Sequence, residues 1–470
     1  SSSSSSSSSP ASAAAVDTVI VIPEGPAQTE DLTQLASPTH DKVLSVLSER
    51  HKAGLIYTTV GDCLLSVNPY RWIPALYKPD IVEAHLSPSS EAGAKKYPHV
   101  YQIANDTLIG LQTSGQNQSI VIAGESGSGK TENMKKCLQF FTRISCDVSN
   151  DSGDGDALAS AAESGGADSG LERMILATNP LLEAYGNAKT ARNDNSSRFG
   201  RWIEITFRNR EVVVGCSCTA YLLEKARVSK QQQGDRNFHI FYMMIAGANE
   251  AQRRKYSLMP VSAFNYLSSS SEAPSDSGNN RRQDAARFAE LLEAAEDVCL
   301  GEDELHNLLH YAACCLHLGN ISFDVIDRGS CKVHAPTSEE KKQSEAYDGH
   351  EGYMADALAV ASRMLGLDAN ELSAALCFRT IQMRASGEEM QVPMTHEKAM
   401  AARDAFAKSI YARLFLWLVA RLNDTLPTPS AAQQQQHHQP RTNTADGGGP
   451  ATDHPLSSVG MLDIFGFEIM

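Results

Sequence analysis

The stretch SIVIAGESGSGKTEN, residues 119–133, decides the fold. It opens on apolar residues, runs through a Gly/Ser-rich turn and ends in helix-compatible residues. That order predicts a strand, a loop and a helix. Gly124, Gly129, Lys130 and Thr131 match the phosphate-loop pattern GxxxxGK[ST], with Glu125, Ser126, Gly127 and Ser128 filling the interval. The pattern needs glycine because the backbone must curl until successive N–H groups face one anion. A helix starting at Lys130 adds the positive end of its dipole. The Lys130 ammonium reaches the β- and γ-phosphates, and the Thr131 hydroxyl suits Mg²⁺. The stretch therefore predicts a nucleoside triphosphate site. By itself it separates neither ATP from GTP nor hydrolysis from transfer.

Working outward, the helix after the loop carries Met134, Cys137, Leu138, Phe141 and Ile144 on one stripe. It is expected to stop in the acidic, Gly/Ser-rich run 147–170. Upstream, residues 1–28 are Ser/Ala/Pro-rich and read as a disordered tail. HDKVLSVLSERHKAG (40–54) predicts a short amphipathic helix through Val43, Leu44 and Leu47, and LIYTTVGDCLLSVNPY (55–70) a hairpin ending at Asn68-Pro69. Downstream, LERMILATNPLLEAYG (171–186) resumes helix. RWIEITF (201–207) and EVVVGCSCTAYLL (211–223) predict two strands joined by a tight turn at Arg208 to Arg210. Residues 236–424 read as mostly helical, with soft insertions at 268–280 and around 330–350. A Gln/His/Gly-rich linker covers 430–455, and VGMLDIFGFE (459–468) returns as an apolar strand. The pattern predicts an α/β fold with a mostly parallel central sheet flanked by helices.

Composition excludes several alternatives. The 470 residues are 42% hydrophobic and 21% charged, as in soluble globular proteins. A net charge of −15 argues against a nucleic-acid partner or an anionic membrane surface. The ten cysteines form no CxxC pair, so they read as free thiols of a reducing compartment, not zinc ligands. The N-terminus lacks a basic region and apolar core, so it is not a secretory signal. The most apolar run, SIYARLFLWLVARL (409–422), holds Arg413 and Arg421 and is too short for an integral membrane segment. It is expected to be a buried core helix, and the location cytoplasmic.

Two further constellations stand out. NAKTARNDNSSRFGRW (187–202) is a polar loop in which Ser196 and Ser197 can offer hydroxyls to Mg²⁺, phosphate or water, and Arg198 can fork onto a carboxylate. The alternative is a plain polar surface loop. MLDIFGFE (461–468) ends an apolar strand at Asp463, suited to hold Mg²⁺ through water. Gly466 permits close approach to a phosphate, and Glu468 is a candidate partner for Arg198. A strand-end Asp is otherwise a cap or turn residue.

In this order the three segments resemble the phosphate loop, switch I and switch II of myosin motor domains. Kinesins share the three-part logic, but Phe199-Gly200 after Arg198 and DIFGFE are the myosin forms. The resemblance extends to PHVYQIAN, YLLEKARV, DRNFHIFY, LHLGNISF and ARDAFAKSIYARLFLWLVARLN, and covers roughly 28–470. It implies a P-loop NTPase core at 29–235 and a mainly helical upper lobe at 236–429, with the switch II strand at 456–470. It further implies ATP and Mg²⁺ as ligands. Gly124 to Thr131 would cradle the phosphates, Thr131 and Ser197 would ligate Mg²⁺, and Asp463 would hold it through water. Asn193 and Ser196 would approach the phosphates, Gly466 N–H would sense the γ-phosphate, and an Arg198–Glu468 salt bridge would close the pocket. Asn68, Pro69 and Tyr77 would contact the adenine, although one extra residue separates Pro69 from Tyr77 relative to the family pattern. MRASGEEMQVPM (383–394) resembles an actin-facing loop, with Glu388 as a constitutive charge or a plain solvated acid. Actin filaments are the implied partner in the cytoskeleton. Light chains or calmodulin would bind only through a downstream region. The chain ends just after switch II, before the segments that carry the lower lobe and lever arm. That leaves open a motor head or a non-motile nucleotide-binding or actin-tethering module.

Overall fold

A computed structural model describes residues 28–86, 97–125, 127–150, 170–210, 212–268, 278–337, 356–382, 389–426 and 456–463. The chain divides into two compact units, residues 1–106 and 107–470.

In the first unit, His40–Lys52 forms helix α1, capped by the Thr39 side chain, which accepts from Lys42 N. Tyr57–Val60 (β1) and Cys63–Ser66 (β2) form the expected antiparallel hairpin. The stripe of α1 differs from expectation: Leu44 is 51% exposed, and Val46 and Arg50 are buried. Arg50 is tolerated inside because its Nε donates to Thr58 Oγ1 at 2.9 Å and its Nη2 to Tyr57 O at 2.8 Å, both on β1. Helix α2 is Pro79–Leu86; α3, Val100–Ser114, begins in this unit and ends in the second, where it leads to the phosphate-loop strand.

The second unit is built on a four-stranded sheet. Its strands are Gln118–Ile122 (β3), Gly200–Arg208 (β6), Val212–Tyr221 (β7) and Leu456–Asp463 (β12), in the order β3-β12-β6-β7. β12 runs parallel to β3 and antiparallel to β6, and β6 and β7 are antiparallel. The α/β class holds, but the mostly parallel sheet is corrected to a mixed one among the described strands. The tight turn falls where expected, with Asn209 and Arg210 at left-handed φ of 55° and 65° between the paired ends Arg208 and Val212. β6 alternates as a one-sided strand should, burying Arg201, Ile203, Ile205 and Phe207.

Helix α4, Lys130–Asn150, packs its apolar stripe on that buried face. Met134, Cys137, Leu138 and Phe141 are buried as expected, Phe140 joins them, and Phe141 meets Phe207 edge to face at 5.9 Å. The helix ends at Asn150, inside the run 147–170 where the stop was expected. Helix α5, Gly170–Gly186, leads into the short ladder of Asn187–Ala188 (β4) and Ser196–Ser197 (β5).

The remainder is mainly helical: His239–Gly247 (α6), Glu250–Lys255 (α7), Asn265–Ser268 (α8), Gly278–Asp297 (α9) and Glu302–Asn320 (α10), then Ala357–Leu365 (α11), Ala369–Cys377 (α12) and His396–Thr425 (α13). Two antiparallel hairpins interrupt it, Phe323–Val325 (β8) with Cys331–Val333 (β9) and Phe378–Gln382 (β10) with Glu389–Pro393 (β11). The latter holds described parts of the predicted actin-facing segment; Glu388 lies outside the described residues. Helix α13 is the expected core helix on one side only. Tyr411, Phe415, Leu418 and Leu422 are buried, whereas Leu416 is 58% and Trp417 40% exposed. Its Asn423 amide accepts from Cys218 N at 2.7 Å and donates to Cys218 O at 2.8 Å, covering part of the β7 edge. Among the described cysteines none is in a disulfide, and all but Cys63 and Cys299 are buried. Among the described residues no helix is long and apolar enough to cross a membrane.

Candidate functional site

The site is assembled where β3 and β12 end side by side, with Asp463 registered against Ile122. After β3 the chain turns through Ala123 to Gly129 and enters α4. Gly127 and Gly129 adopt φ of 81° and 92°, which only glycine takes without strain, so the loop geometry depends on them. Lys130 is 8% exposed and its ammonium folds back over the loop, donating to Gly124 O at 2.8 Å and Glu125 O at 2.9 Å. Thr131 Oγ1 donates to Asp463 Oδ2 at 2.8 Å across 332 residues of sequence. Asp463 is 4% exposed, and its other oxygen, Oδ1, is buried with no hydrogen-bond partner among the described residues.

Electrostatics mark this corner as strained by burial. Desolvation lowers Lys130 from the usual lysine value, and the Asp463 carboxylate pulls it partly back. Desolvation raises Asp463, and the Thr131 hydrogen bond, Lys130 and Arg201 offset only part of that. A hydroxyl and a buried carboxylate with one unpaired oxygen form an all-oxygen set, the donor chemistry of a hard cation such as Mg²⁺. The residues present fit that ion.

The segment 187–198 closes the other side. A Cβ on Gly127 would sit 3.4 Å from Asn193 Cβ, so the phosphate loop and this segment are in close approach. The loop between β4 and β5 is pinned by Thr190 N donating to Asn193 O at 2.8 Å and by a Lys189–Asp194 pair at 2.8 Å. Ser196 is buried and its Oγ accepts from Arg198 Nη1 at 3.2 Å; Ser197 is half-buried beside it. Arg198 is 4% exposed and pairs with Glu224 Oε2 at 2.6 Å, while Glu224 N donates to Arg198 O at 2.9 Å. Burial pushes the Glu224 carboxyl up, but the hydrogen bonds from Arg198 and Arg227 outweigh it and hold it below the usual range. Arg227 also pairs with Asp235 at 2.9 Å, and Asp235 Oδ1 accepts from Ala191 N at 3.2 Å.

Of the sequence-predicted residues, the structure thus brings together Gly124, Glu125, Gly127, Ser128, Gly129, Lys130, Thr131, Asn193, Ser196, Ser197, Arg198 and Asp463 in the second unit. Ser126, Gly466 and Glu468 lie outside the described residues, so the Arg198–Glu468 pairing does too. Asn68, Pro69 and Tyr77 belong to the first unit. There Asn68 Oδ1 accepts from Tyr70 N at 2.8 Å, and half-buried Tyr77 bonds the Tyr57 hydroxyl at 2.9 Å and stacks on Trp72 at 5.1 Å. Sequence reasoning missed Glu224, Arg227 and Asp235 as supports of the segment 187–198. The segments YLLEKARV and DRNFHIFY that carry them were visible, but nothing local assigns their charges to Arg198 or Ala191.

A strand, a glycine-bearing loop and a helix whose first residues meet a strand-end carboxylate define a P-loop NTPase fold. The family model for the myosin head (motor domain) matches residues 29–470, and the chain belongs to that family. Relatives agree. Myosin IB heavy chain of Dictyostelium discoideum is 34% identical over 94% of this chain and 34% of its own length. Unconventional myosin IC of Drosophila melanogaster is 35% identical over 90% of this chain and 34% of its own length. Myosin-3 of Arabidopsis thaliana is 35% identical over 93% of this chain and 32% of its own length. The chain thus spans about a third of the length of these relatives.

Proposed function

We propose that this chain carries the Mg-ATP site of a myosin-type ATPase, in which the state of the two switches is coupled to affinity for actin filaments in the cytoplasm. The observation that carries the reading is the part-buried Thr131–Asp463 hydrogen bond, with Asp463 Oδ1 beside it lacking a partner among the described residues. It joins the phosphate loop to the strand that opens switch II, as an ion-linked pair of this kind requires.

The residues divide the work. Gly124 to Gly129 turn backbone donors toward the triphosphate, and Lys130, already near two loop carbonyls, exchanges them for phosphate oxygens. Thr131 and Ser197 would offer hydroxyls to Mg²⁺, and Asp463 would supply a carboxylate to hold it. The ion, when bound, neutralises charge on the phosphates. Ser196, oriented by Arg198, positions the attacking water, and Asn193 faces the phosphates from the switch I side. Phosphoryl transfer to water depends on such positioning and charge stabilisation more than on covalent chemistry. Loops that touch the γ-phosphate and let go after hydrolysis form an open–closed switch.

The test is phosphate release and filament co-sedimentation on the wild-type chain and on Lys130→Ala. The reading expects Mg²⁺-dependent ATP hydrolysis that the substitution abolishes, and actin binding that ATP weakens. Actin binding indifferent to ATP would overturn the coupling and favour a non-motile tether; no hydrolysis would overturn the ATPase.

A further inference from the structure

Glu183, on α5, lies between two parts of the site and belongs to neither. Its Oε2 accepts from Asn195 Nδ2, in the switch I loop, at 2.9 Å. Its Oε1 pairs at 2.8 Å with Lys135, which lies one turn beyond Thr131 on the phosphate-loop helix. Both ends of the Lys135–Glu183 pair are withdrawn from water, with side chains 24% and 21% exposed. Glu132, the other carboxylate near Lys135 at 3.2 Å, is 64% exposed and a weaker anchor. Burial pulls the Lys135 ammonium down, and Glu183 and Glu132 more than restore it, so the lysine stays charged.

Asn195 passes the constraint on. Its own N–H donates to Asn193 Oδ1 at 3.0 Å, which fixes the side chain that faces Gly127 of the phosphate loop. Its Oδ1 accepts from Asn187 Nδ2 at 3.0 Å and lies 3.1 Å from His239 Nε2. Desolvation, then Arg287, Arg236 and Lys189, hold His239 well below the usual histidine value, so the neutral ring donates that proton to Asn195. The amide is therefore held by several partners, and its bond to Glu183 leads back to Lys135 on α4.

We infer that Glu183 is a positioning residue that ties the phosphate-loop helix to switch I through a Lys135–Glu183–Asn195 relay, so that the two halves of the phosphate site keep one register. The relay rests on the nucleotide-site reading for its purpose, and its geometry stands apart from it. Its signature is that Lys135, whose ion pairs among the described residues are with Glu132 and Glu183, governs the order of switch I.

Two measurements separate the relay from the site itself. The first is hydrogen exchange of the 187–198 amides in the ligand-free chain, for Lys135→Met, Glu183→Gln and the double variant. Glu183→Gln retains an oxygen for Asn195 and loses only the ion pair. Each single substitution should speed exchange in that segment about tenfold, the factor given by about 1.4 kcal/mol. The double should add nothing further, and β1 and β2 should keep wild-type protection. The second is the ATPase KM and kcat of the same proteins, expected to show a raised KM with the larger change in kcat/KM. Unchanged exchange at 187–198 in Lys135→Met, or additive effects in the double, would overturn the relay. Absence of hydrolysis in the wild type would overturn the functional reading alone, because the exchange result does not depend on it.

Discussion

Glu224→Ala is the perturbation whose size the structure fixes best. The carboxylate accepts from Arg198 Nε at 2.6 Å and from Arg227 Nε at 2.9 Å, and those guanidiniums belong to residues 4% and 2% exposed. Removing one partner of a buried ion pair costs about 3–5 kcal/mol. Two features reduce that here. The Glu224 side chain is 33% exposed, so water screens part of the interaction. Arg227 also keeps Asp235 at 2.9 Å and the Arg236 carbonyl at 2.9 Å. A loss of about 2 kcal/mol remains. Glu224→Gln keeps an acceptor oxygen and should lose about 1 kcal/mol. The assay is urea unfolding followed by circular dichroism, repeated from neutral to acid pH. Because the folded carboxyl titrates below its unfolded value, its contribution is full above about pH 4.5 and fades as pH falls through the lower folded value. The gap between wild type and Glu224→Ala should therefore narrow in acid. Equal stability of the three proteins at neutral pH, or a gap that is the same in acid, would refute the reasoning.

Two other predictions concern the scaffold. A Cβ at Gly460 in β12 would overlap the Trp202 ring, with Cε2 at 2.9 Å, so Gly460→Ala should destabilise by about 1–3 kcal/mol; Trp202→Leu in the same chain should restore much of that in thermal melts, and a neutral Gly460→Ala would contradict the packing. His317, buried on α10 with Nε2 donating to Tyr256 O at 3.1 Å, is pulled by burial down to about 4. The unfolded chain binds this proton first, so stability should fall as pH drops from about 6.5 towards 4, by about 3 kcal/mol from this group. His317→Gln should flatten that slope, and an unchanged slope would exclude the assignment.

What the sequence disclosed was whatever a short window encodes. The glycine spacing of 124–129, the period of Met134, Cys137, Leu138 and Phe141 and the alternation of 201–207 each state their own conformation, and the structure follows them. Strand direction is not a local property. Nothing in 456–463 records that it runs parallel to β3 and antiparallel to β6. Partner choice among charges is equally non-local. Arg198 meets Glu224 because β7 brings the chain back beside it, and Arg50 is buried in α1 because β1 offers it oxygens. Leu44 and Leu416 mislead for the converse reason, since an apolar residue on a helix states a preference and only packing decides which face is covered.

The central claim is that Thr131 and Asp463 complete an Mg-nucleotide site with the phosphate loop. Calorimetric titration of the chain with ATP, with Mg²⁺ and with a chelator, tests it most directly. Binding should be tight with Mg²⁺ and weak without it, and an Asp463→Asn chain should bind ATP with little dependence on the ion. No binding, or binding in the wild type that ignores Mg²⁺, would contradict it.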